Sequence, residues 1–138
     1  MRFICKILIY TLKAYIILAI LGEFMRLLHF IETTVFTKQI TNLLIDDSYS
    51  DFQSFLSENP EVGDLIPGTG GVRKARWVLP NTGKGKRGGI RVLYYYLDEF
   101  GIFYMLSVYA KSNTINISDK DKNRLKQVIL AIKKAHNG

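Results

Sequence analysis

The alternation of apolar and polar positions predicts three β-strands in the middle of this chain. Apolar, β-branched and aromatic residues dominate three runs, residues 72–78, 90–96 and 102–109. A Gly/Lys-rich loop, residues 83–89, separates the first two runs, and Asp98-Glu99-Phe100-Gly101 separates the last two. Consecutive strands joined by turn residues are typical of an antiparallel meander.

A helical period appears on the N-terminal side of these strands. Residues 27–32 read as a first strand, and Thr33 or Thr34 can then cap a helix. Asp46-Asp47 interrupts the pattern, Ser48 opens a near capping box for a second helix, and Asn59-Pro60 ends that helix. The predicted apolar stripes are Phe36, Ile40, Leu43 and Leu44 in the first helix, and Tyr49, Phe52, Phe55 and Leu56 in the second.

The last segment predicts a C-terminal helix. Ser118 is a good N-cap, and Asp119 and Asp121 favour the positive end of the helix dipole. Its predicted buried stripe is Leu125, Val128, Ile129 and Ile132. Residues 61–71 hold several glycines and read as a loop. Together these elements predict an α+β domain over residues 25–138: an antiparallel β-meander sheet with an N-terminal αα-hairpin and a C-terminal helix.

Residues 1–24 form an apolar leader that differs from the rest of the chain. Lys13 lies near the middle of the apolar stretch, which is costly for a membrane-spanning helix. Three interpretations stay open: a mis-called start with Met25 as the true first residue, a membrane anchor, or an export signal. The first predicts a cytoplasmic protein, and membrane association requires residues 1–24 to be genuine.

Charge is distributed unevenly along the 138 residues, whose formal net charge is +7. Residues 30–67 carry seven acidic side chains and one basic side chain, Lys38, whereas residues 68–97 carry no acidic side chain. Seven basic side chains fall within that second stretch: Arg73, Lys74, Arg76, Lys84, Lys86, Arg87 and Arg91. A sheet that collects cations and excludes anions indicates a phosphate-bearing partner.

Several common kinds of site are poorly supported. The glycines of residues 68–71 lead into a strand and lack the spacing of dinucleotide or Walker loops, so we predict no small-molecule cofactor. One cysteine, Cys5, excludes an internal disulfide. With two histidines, His29 and His136, the chain has no zinc-ligand spacing, and both histidines are more typical of structural or exposed positions.

Strand periodicity indicates which cations act together. Lys74 and Arg76 are two residues apart and therefore share one face of a strand, while Ala75 and Trp77 point to the core. Arg91 interrupts an otherwise apolar strand, and Lys111 follows the last one. Most of the tyrosines must pack in the core, but Tyr109 shares a face with Lys111 and could stack on a base.

The order of elements and the motifs within them resemble the RelE/ParE toxin superfamily. Within that superfamily, the HigB branch is the more similar. The resemblance lies in Gly68-Thr69-Gly70-Gly71-Val72-Arg73-Lys74-Ala75-Arg76, in Gly83-Lys84-Gly85-Lys86-Arg87-Gly88-Gly89-Ile90-Arg91-Val92-Leu93-Tyr94-Tyr95, and in Leu97-Asp98-Glu99 through Tyr109-Ala110-Lys111. The resemblance covers residues 25 to about 135, and residues 1–24 match nothing in it.

The resemblance implies a toxin of a type II toxin–antitoxin module, a metal-independent endoribonuclease of the RelE-like microbial RNase fold that cuts mRNA in the ribosomal A site. It maps the catalytic cations onto Lys74, Arg76, Arg91 and Lys111. It implies RNA or ribosome contacts, including 16S rRNA, at Arg73, Lys84, Lys86, Arg87 and Tyr109. A cognate DNA-binding antitoxin is the expected partner, and operator DNA would be bound only through the antitoxin complex.

The identity of the general base stays open. Some relatives carry a tyrosine or histidine near the C-terminus, where this chain has Asn116-Ile117-Ser118. Two other functions also stay open: a non-enzymatic, ParE-like inhibitor of gyrase, since fold does not fix function, and a membrane-anchored basic nucleic-acid-binding protein.

Overall fold

The computed structural model describes residues 2–3, 28–43, 46–78, 89–113 and 116–137. The strands are β1 (Arg2–Phe3), β2 (His29–Glu32), β3 (Asp64–Leu65), β4 (Arg73–Val78), β5 (Gly89–Leu97) and β6 (Ile102–Ala110). The helices are α1 (Thr34–Leu43), α2 (Asp46–Glu58) and α3 (Asp119–Asn137), with a 3₁₀ turn at Asp98–Phe100. Most of the apolar leader, Met25 and Leu44 lie outside the described residues, so the interpretations of residues 1–24 stay predictions.

One sheet organises the described residues, in the strand order β1-β2-β6-β5-β4-β3. Strands β4, β5 and β6 pair antiparallel, but β2 lies parallel to β6. The sheet is therefore mixed, and the prediction of an antiparallel sheet was wrong for its β2 side. Two helices and three strands lie between β2 and β6 in the chain, and a connection of that length permits a parallel pairing.

The helix starts follow local chemistry. The Thr33 hydroxyl accepts a hydrogen bond from the Phe36 amide at 3.1 Å, and the Ser118 hydroxyl accepts one from the Asp121 amide at 3.1 Å. Both are N-cap bonds. Helix α2, however, begins at Asp46 rather than at Ser48. Asp46-Asp47, which was expected to interrupt the pattern, is therefore the start of this helix.

The first core lies between the sheet and helices α1 and α2, on what we call the α1–α2 face. Its members are Phe30, Phe36, Ile40, Tyr49, Phe52, Leu56, Ala75, Ile90, Val92, Tyr94, Phe103, Met105 and Val108. Trp77 packs at the margin, with its ring 5.3 Å from that of Phe52 and 5.4 Å from that of Phe55. The predicted inward direction of Ala75 and Trp77 is confirmed.

The second core lies on the opposite side of the sheet, which we call the α3 face. It joins Ile129 and Ile132 of α3 to Val72, Leu93, Tyr95, Leu97, Tyr104 and Leu106. Val128, which was predicted to be buried, has 44% of its surface exposed. The buried stripe of α3 therefore follows Leu125, Ile129 and Ile132, and Val128 falls on the solvent side of it.

Side chains from the start of α1 cover the part of β6 that β2 does not reach. The pairing of β2 with β6 ends at Met105. Beyond it, the Thr33 hydroxyl donates to the Leu106 carbonyl at 2.9 Å, and Gln39 Oε1 accepts from the Val108 amide at 2.9 Å. Two backbone groups of this edge, the Leu106 carbonyl and the Val108 amide, are therefore satisfied without another strand.

Candidate functional site

The strand register places three of the predicted cations on one face of the sheet. Arg76 of β4 lies directly opposite Arg91 of β5, and Arg91 lies directly opposite Tyr109 of β6. One row along, Lys74 lies opposite Leu93. Because directly opposed residues project to the same side of a sheet, all of these side chains share the α3 face with Leu93.

Lys111 belongs to the same surface. Its amide donates to the Gly89 carbonyl at 2.8 Å, which continues the β5–β6 ladder by one step. A Cβ atom at Gly89 would lie 3.8 Å from the Lys111 Cβ and 3.8 Å from Arg91 Nη1. The Lys111 side chain therefore starts on the side of the sheet that carries Arg91. We call Lys74, Arg76, Arg91 and Lys111 the cation cluster.

The described packing contacts of helix α3 do not include the cation cluster. Along this face of β5, Leu97, Tyr95 and Leu93 are buried, and the next residue outward is Arg91, which is half-buried. Arg76 and Lys111 are exposed. The contacts of α3 lie away from the cluster, for example the 2.7 Å hydrogen bond between Tyr104 and His136 near its C-terminus. The cluster is thus an open surface beyond the end of a packed core.

The cations of the cluster have no carboxylate partner among the described residues. The ion pairs of this part of the chain are Arg73–Glu61 and Arg124–Asp121, and neither involves the cluster. Arg91 makes one hydrogen bond, from Nη1 to the Ile90 carbonyl at 3.2 Å. Cβ atoms of directly opposed residues lie roughly 4.5–5.5 Å apart, and like charges in such a pair repel. A bound anion would relieve that repulsion between Arg76 and Arg91.

Arg73 is placed apart from the cluster. It lies opposite Tyr94, on the α1–α2 face. Its Nη1 donates to the carbonyls of Gly63 at 2.8 Å and Glu61 at 3.0 Å, and its Nη2 lies 3.9 Å from the Glu61 carboxylate. Arg73 therefore lies on the opposite face from Tyr109, another predicted RNA contact, and its contacts hold the loop after α2.

The tyrosines divide into core residues and one residue beside the cations. Burial raises the pKa values of Tyr94, Tyr95 and Tyr104, which keeps these hydroxyls neutral at ordinary pH. Tyr109 is half-buried, and it packs against the second core from its position beside Arg91. The prediction that most tyrosines are core residues is confirmed, and Tyr109 is the tyrosine that adjoins the cluster.

Part of the predicted site falls where the structure gives no description. Lys84, Lys86 and Arg87 lie in residues 79–88, outside the described residues, so their predicted RNA contacts stay predictions. In the described ranges, no group of three His, Cys, Asp or Glu side chains is placed to hold a metal ion.

Sequence reasoning missed two features of the α3 face. It did not indicate the partners of His136, which lies 2.7 Å from the Tyr104 hydroxyl and 4.7 Å between ring centroids from Phe100. Gly89 was predicted to be the last residue of a Gly/Lys-rich loop, yet it is the first residue of β5 and lies beside Arg91. A glycine within a strand is itself a signal of close approach by another group.

A buried acidic group on the α1–α2 face contrasts with the cluster. Glu32 is 2% exposed, and its carboxylate accepts hydrogen bonds from the Thr37 hydroxyl at 2.6 Å and the Tyr49 hydroxyl at 2.8 Å. Burial raises the pKa of Tyr49, and the charge of Glu32 raises it further. These bonds join β2 to α1 and α2, so the charge is part of the packing of the helices on the sheet.

Comparison with known proteins adds a partial likeness in shape. No family model matches this chain. Among solved structures, the chain is similar to a mutant of the E. coli toxin RelE in its free state, with 18% sequence identity and a TM-score of 0.42. The match covers 61% of this chain and 82% of that chain. At this level the comparison assigns no activity to the chain.

The described helices were also compared with the requirements of a membrane span. In the ranges that the structure describes, every helix is too short or too polar to cross a bilayer. The apolar leader, residues 4–24, is outside those ranges.

Proposed function

We propose that this protein is the toxin of a type II toxin–antitoxin module, and that it is a ribosome-dependent endoribonuclease that inhibits translation by cutting mRNA in the ribosomal A site. The resemblance of residues 68–111 to the HigB branch supports this function. The observation that carries the proposal is the directly opposed pair Arg76 and Arg91, which has no carboxylate partner among the described residues. A structural role would favour a paired charge, whereas a phosphate-binding role requires an available one.

The proposed chemistry uses the nucleophile that RNA carries. The ribose 2′-oxygen attacks the adjacent phosphorus, the bond to the 5′-oxygen breaks, and a cyclic phosphate remains on the upstream fragment. Charge develops on the phosphoryl oxygens, and Arg76 and Arg91 would stabilise it with bidentate hydrogen bonds. Lys74 or Lys111 would take the proton from the 2′-hydroxyl and return one to the leaving oxygen. No step needs a metal ion.

An open surface accounts for dependence on the ribosome. The cluster lies beyond the end of the α3 core, with Arg76 and Lys111 exposed to solvent. A surface of this kind attracts a phosphate backbone but allows it to bind in several orientations. The ribosome would supply the alignment that brings the 2′-oxygen in line, and Tyr109 could stack on a base beside Arg91.

The same proposal includes partners. Lys84, Lys86 and Arg87 would contact ribosomal RNA, 16S rRNA in particular, outside the mRNA site. A toxin of this kind needs a cognate antitoxin, which we expect to bind DNA and to carry the toxin to operator DNA as a complex. We place the activity in the cytoplasm, where translating ribosomes are found.

An in vitro translation reaction tests the activity, with cut sites on the message mapped by primer extension. We expect the wild-type protein to cut only messages that are being translated. Arg91→Ala and Lys111→Ala should each lower the cutting rate roughly 100-fold or more, the usual cost of one charge-stabilising group. Arg124→Ala is the matched control, because it removes one positive charge from the exposed side of α3 without touching the cluster.

Two results would overturn the proposal. If Arg91→Ala and Lys111→Ala both cut at the wild-type rate, the cluster is not the catalytic site. If the wild-type protein cuts no translated message but blocks DNA supercoiling by gyrase, the protein is a gyrase inhibitor instead.

A further inference from the structure

Gly89 occupies a special place beneath the cation cluster. It is buried, it opens β5, and it pairs with Val78 on one side while its carbonyl accepts from the Lys111 amide on the other. The glycines with positive φ are Gly68, Gly70, Gly71 and Gly101 among the described residues, so strain does not require glycine here. The atoms around Gly89 decide what a side chain at this position would affect.

A side chain at Gly89 would contact two members of the cation cluster. A Cβ atom at this position would point toward the α3 face, 3.8 Å from Arg91 Nη1, 3.8 Å from the Lys111 Cβ and 3.5 Å from the Trp77 carbonyl oxygen. These are ordinary contact distances, so one methyl group fits, and a branched side chain would place further atoms beside the guanidinium. The same Nη1 donates to the Ile90 carbonyl at 3.2 Å.

We propose that Gly89 is a positioning residue, whose missing side chain lets the Arg91 guanidinium lie back against β5 beside Lys111, so that the two cations meet the same RNA phosphate. The identity of the anion rests on the function proposed above, whereas the position of Arg91 does not. One N–H of Arg91 is held by the backbone, and the remaining donors have no acceptor among the described residues. A guanidinium held in this way loses less rotational freedom when it binds a phosphate, which strengthens binding.

A graded pair of substitutions tests the role of Gly89. Gly89→Ala should weaken binding of a single-stranded RNA oligonucleotide about twofold, because the methyl group only touches the guanidinium. Gly89→Val should weaken it roughly tenfold, the effect of one charge-assisted hydrogen bond. Ala110→Val is the matched control: it enlarges a strand residue that lies opposite Ile90 and so faces away from the cluster. Thermal unfolding of each variant separates misfolding from mispositioning.

A double-mutant cycle asks whether Gly89 acts through Arg91. In an Arg91→Ala background, Gly89→Val should change RNA binding less than twofold, because the group that it displaces is already gone. An equal effect of Gly89→Val in both backgrounds would overturn the inference.

A readout that needs no RNA keeps the inference separate from the proposed function. In the ¹⁵N-labelled full chain, Gly89→Val should shift the Nε–H resonance of Arg91 and speed its exchange with water, and Ala110→Val should do neither. An Arg91 signal that is identical in wild type and Gly89→Val overturns the inference even if the protein cuts mRNA. A wild-type protein that cuts no message overturns the proposed function, and the Arg91 signal then still decides the role of Gly89.

Discussion

Arg73 and Arg76 lie on the same strand, three residues apart, and have opposite surroundings. Arg73 faces the α1–α2 side, where two backbone carbonyls and the Glu61 carboxylate receive its guanidinium. Arg76 faces the α3 side, where another arginine stands directly across from it and no described carboxylate pairs with it. The residue type is the same, but the Arg73 side chain stabilises a loop and the Arg76 side chain is available to a ligand.

Glu32 extends the comparison to the acidic side of the molecule. It is nearly fully buried, and two hydroxyl groups donate to its carboxylate. A buried charge persists in a fold only when hydrogen bonds replace its lost hydration. The buried charge and the charge that holds a loop have described partners, whereas the cations of the cluster have no described carboxylate partner. If this difference is functional, changes in the cluster should affect RNA cutting and changes at the paired charges should affect stability.

The largest expected effect is on catalysis at Arg76. Arg76→Ala should lower mRNA cutting roughly 100-fold, because half of the opposed arginine pair is lost at the phosphate. The free energy of unfolding should not fall, since no hydrogen bond or ion pair joins the Arg76 side chain to a described residue. Cut-site mapping and urea unfolding on the same preparation measure both quantities. If Arg76→Ala lowers both the cutting rate and the free energy of unfolding, Arg76 has a structural role like that of Arg73.

Alkaline pH should destabilise the α1–α2 side through Tyr49. Burial first, and then the charge of Glu32, raise the Tyr49 pKa above the ordinary 10.0. The folded state therefore holds this proton more tightly, so the stabilisation is complete below about pH 10 and is lost as the pH rises above it. We expect the free energy of unfolding to fall by up to about 1.4 kcal/mol per pH unit there for each such tyrosine.

Tyr49→Phe is the control for that pH dependence. It keeps the ring but removes one of the two donors to Glu32, so it should cost about 1–3 kcal/mol at neutral pH. Above about pH 10 its stability should decline less steeply than that of the wild type. Equal slopes for the two proteins would assign the alkaline loss to Tyr94, Tyr95 or Tyr104 instead.

A smaller effect is expected at Arg73. Arg73→Ala removes the donor that holds the carbonyls of Glu61 and Gly63, and it should cost about 1 kcal/mol of unfolding free energy. Chemical denaturation measures this loss directly. If Arg73→Ala keeps its stability but loses mRNA cutting, the separation of the two arginines is wrong and the predicted RNA contact at Arg73 gains support.

The smallest expected effect is a gain in stability. Arg76→Gln keeps a long polar side chain but removes the like charge opposite Arg91, so it should stabilise the fold by roughly 0.2–1 kcal/mol. Added salt should shrink the difference between the two proteins, because screening already weakens the repulsion in the wild type. A destabilised Arg76→Gln would mean that the wild-type arginine has a favourable contact in the fold.

Local patterns in the sequence predicted much of this fold. Ser118 and the spacing of Leu125, Ile129 and Ile132 predicted α3, and the α+β class with a C-terminal helix is confirmed. The parallel pairing of β2 with β6 could not be predicted, because it joins residues about seventy positions apart and no local pattern encodes it. Strand β3 was read as loop because it is two residues long and lies among glycines and a proline.

For the candidate site, the period of a strand was enough to place Lys74 and Arg76 on one face, but not to identify their neighbours. The position of Arg76 across from Arg91 depends on the β4–β5 register, and the ladder from β5 to β6 shifts between Leu93 and Tyr94. An irregularity of this kind moves every later pairing by one residue. The cluster was therefore visible in composition, while its geometry required the three-dimensional structure.

The amide of Gln39 and the hydroxyl of Thr33 occupy hydrogen-bonding groups of β6 that a foreign strand would otherwise use. Two chains that meet along this margin find no continuous ladder to extend, which guards against edge-to-edge polymerisation in a crowded cell. The protecting side chains are Gln39 in α1 and Thr33, which caps α1. Local unfolding of α1 would therefore expose these backbone groups of β6 to pairing with another chain while the rest of the sheet stayed folded.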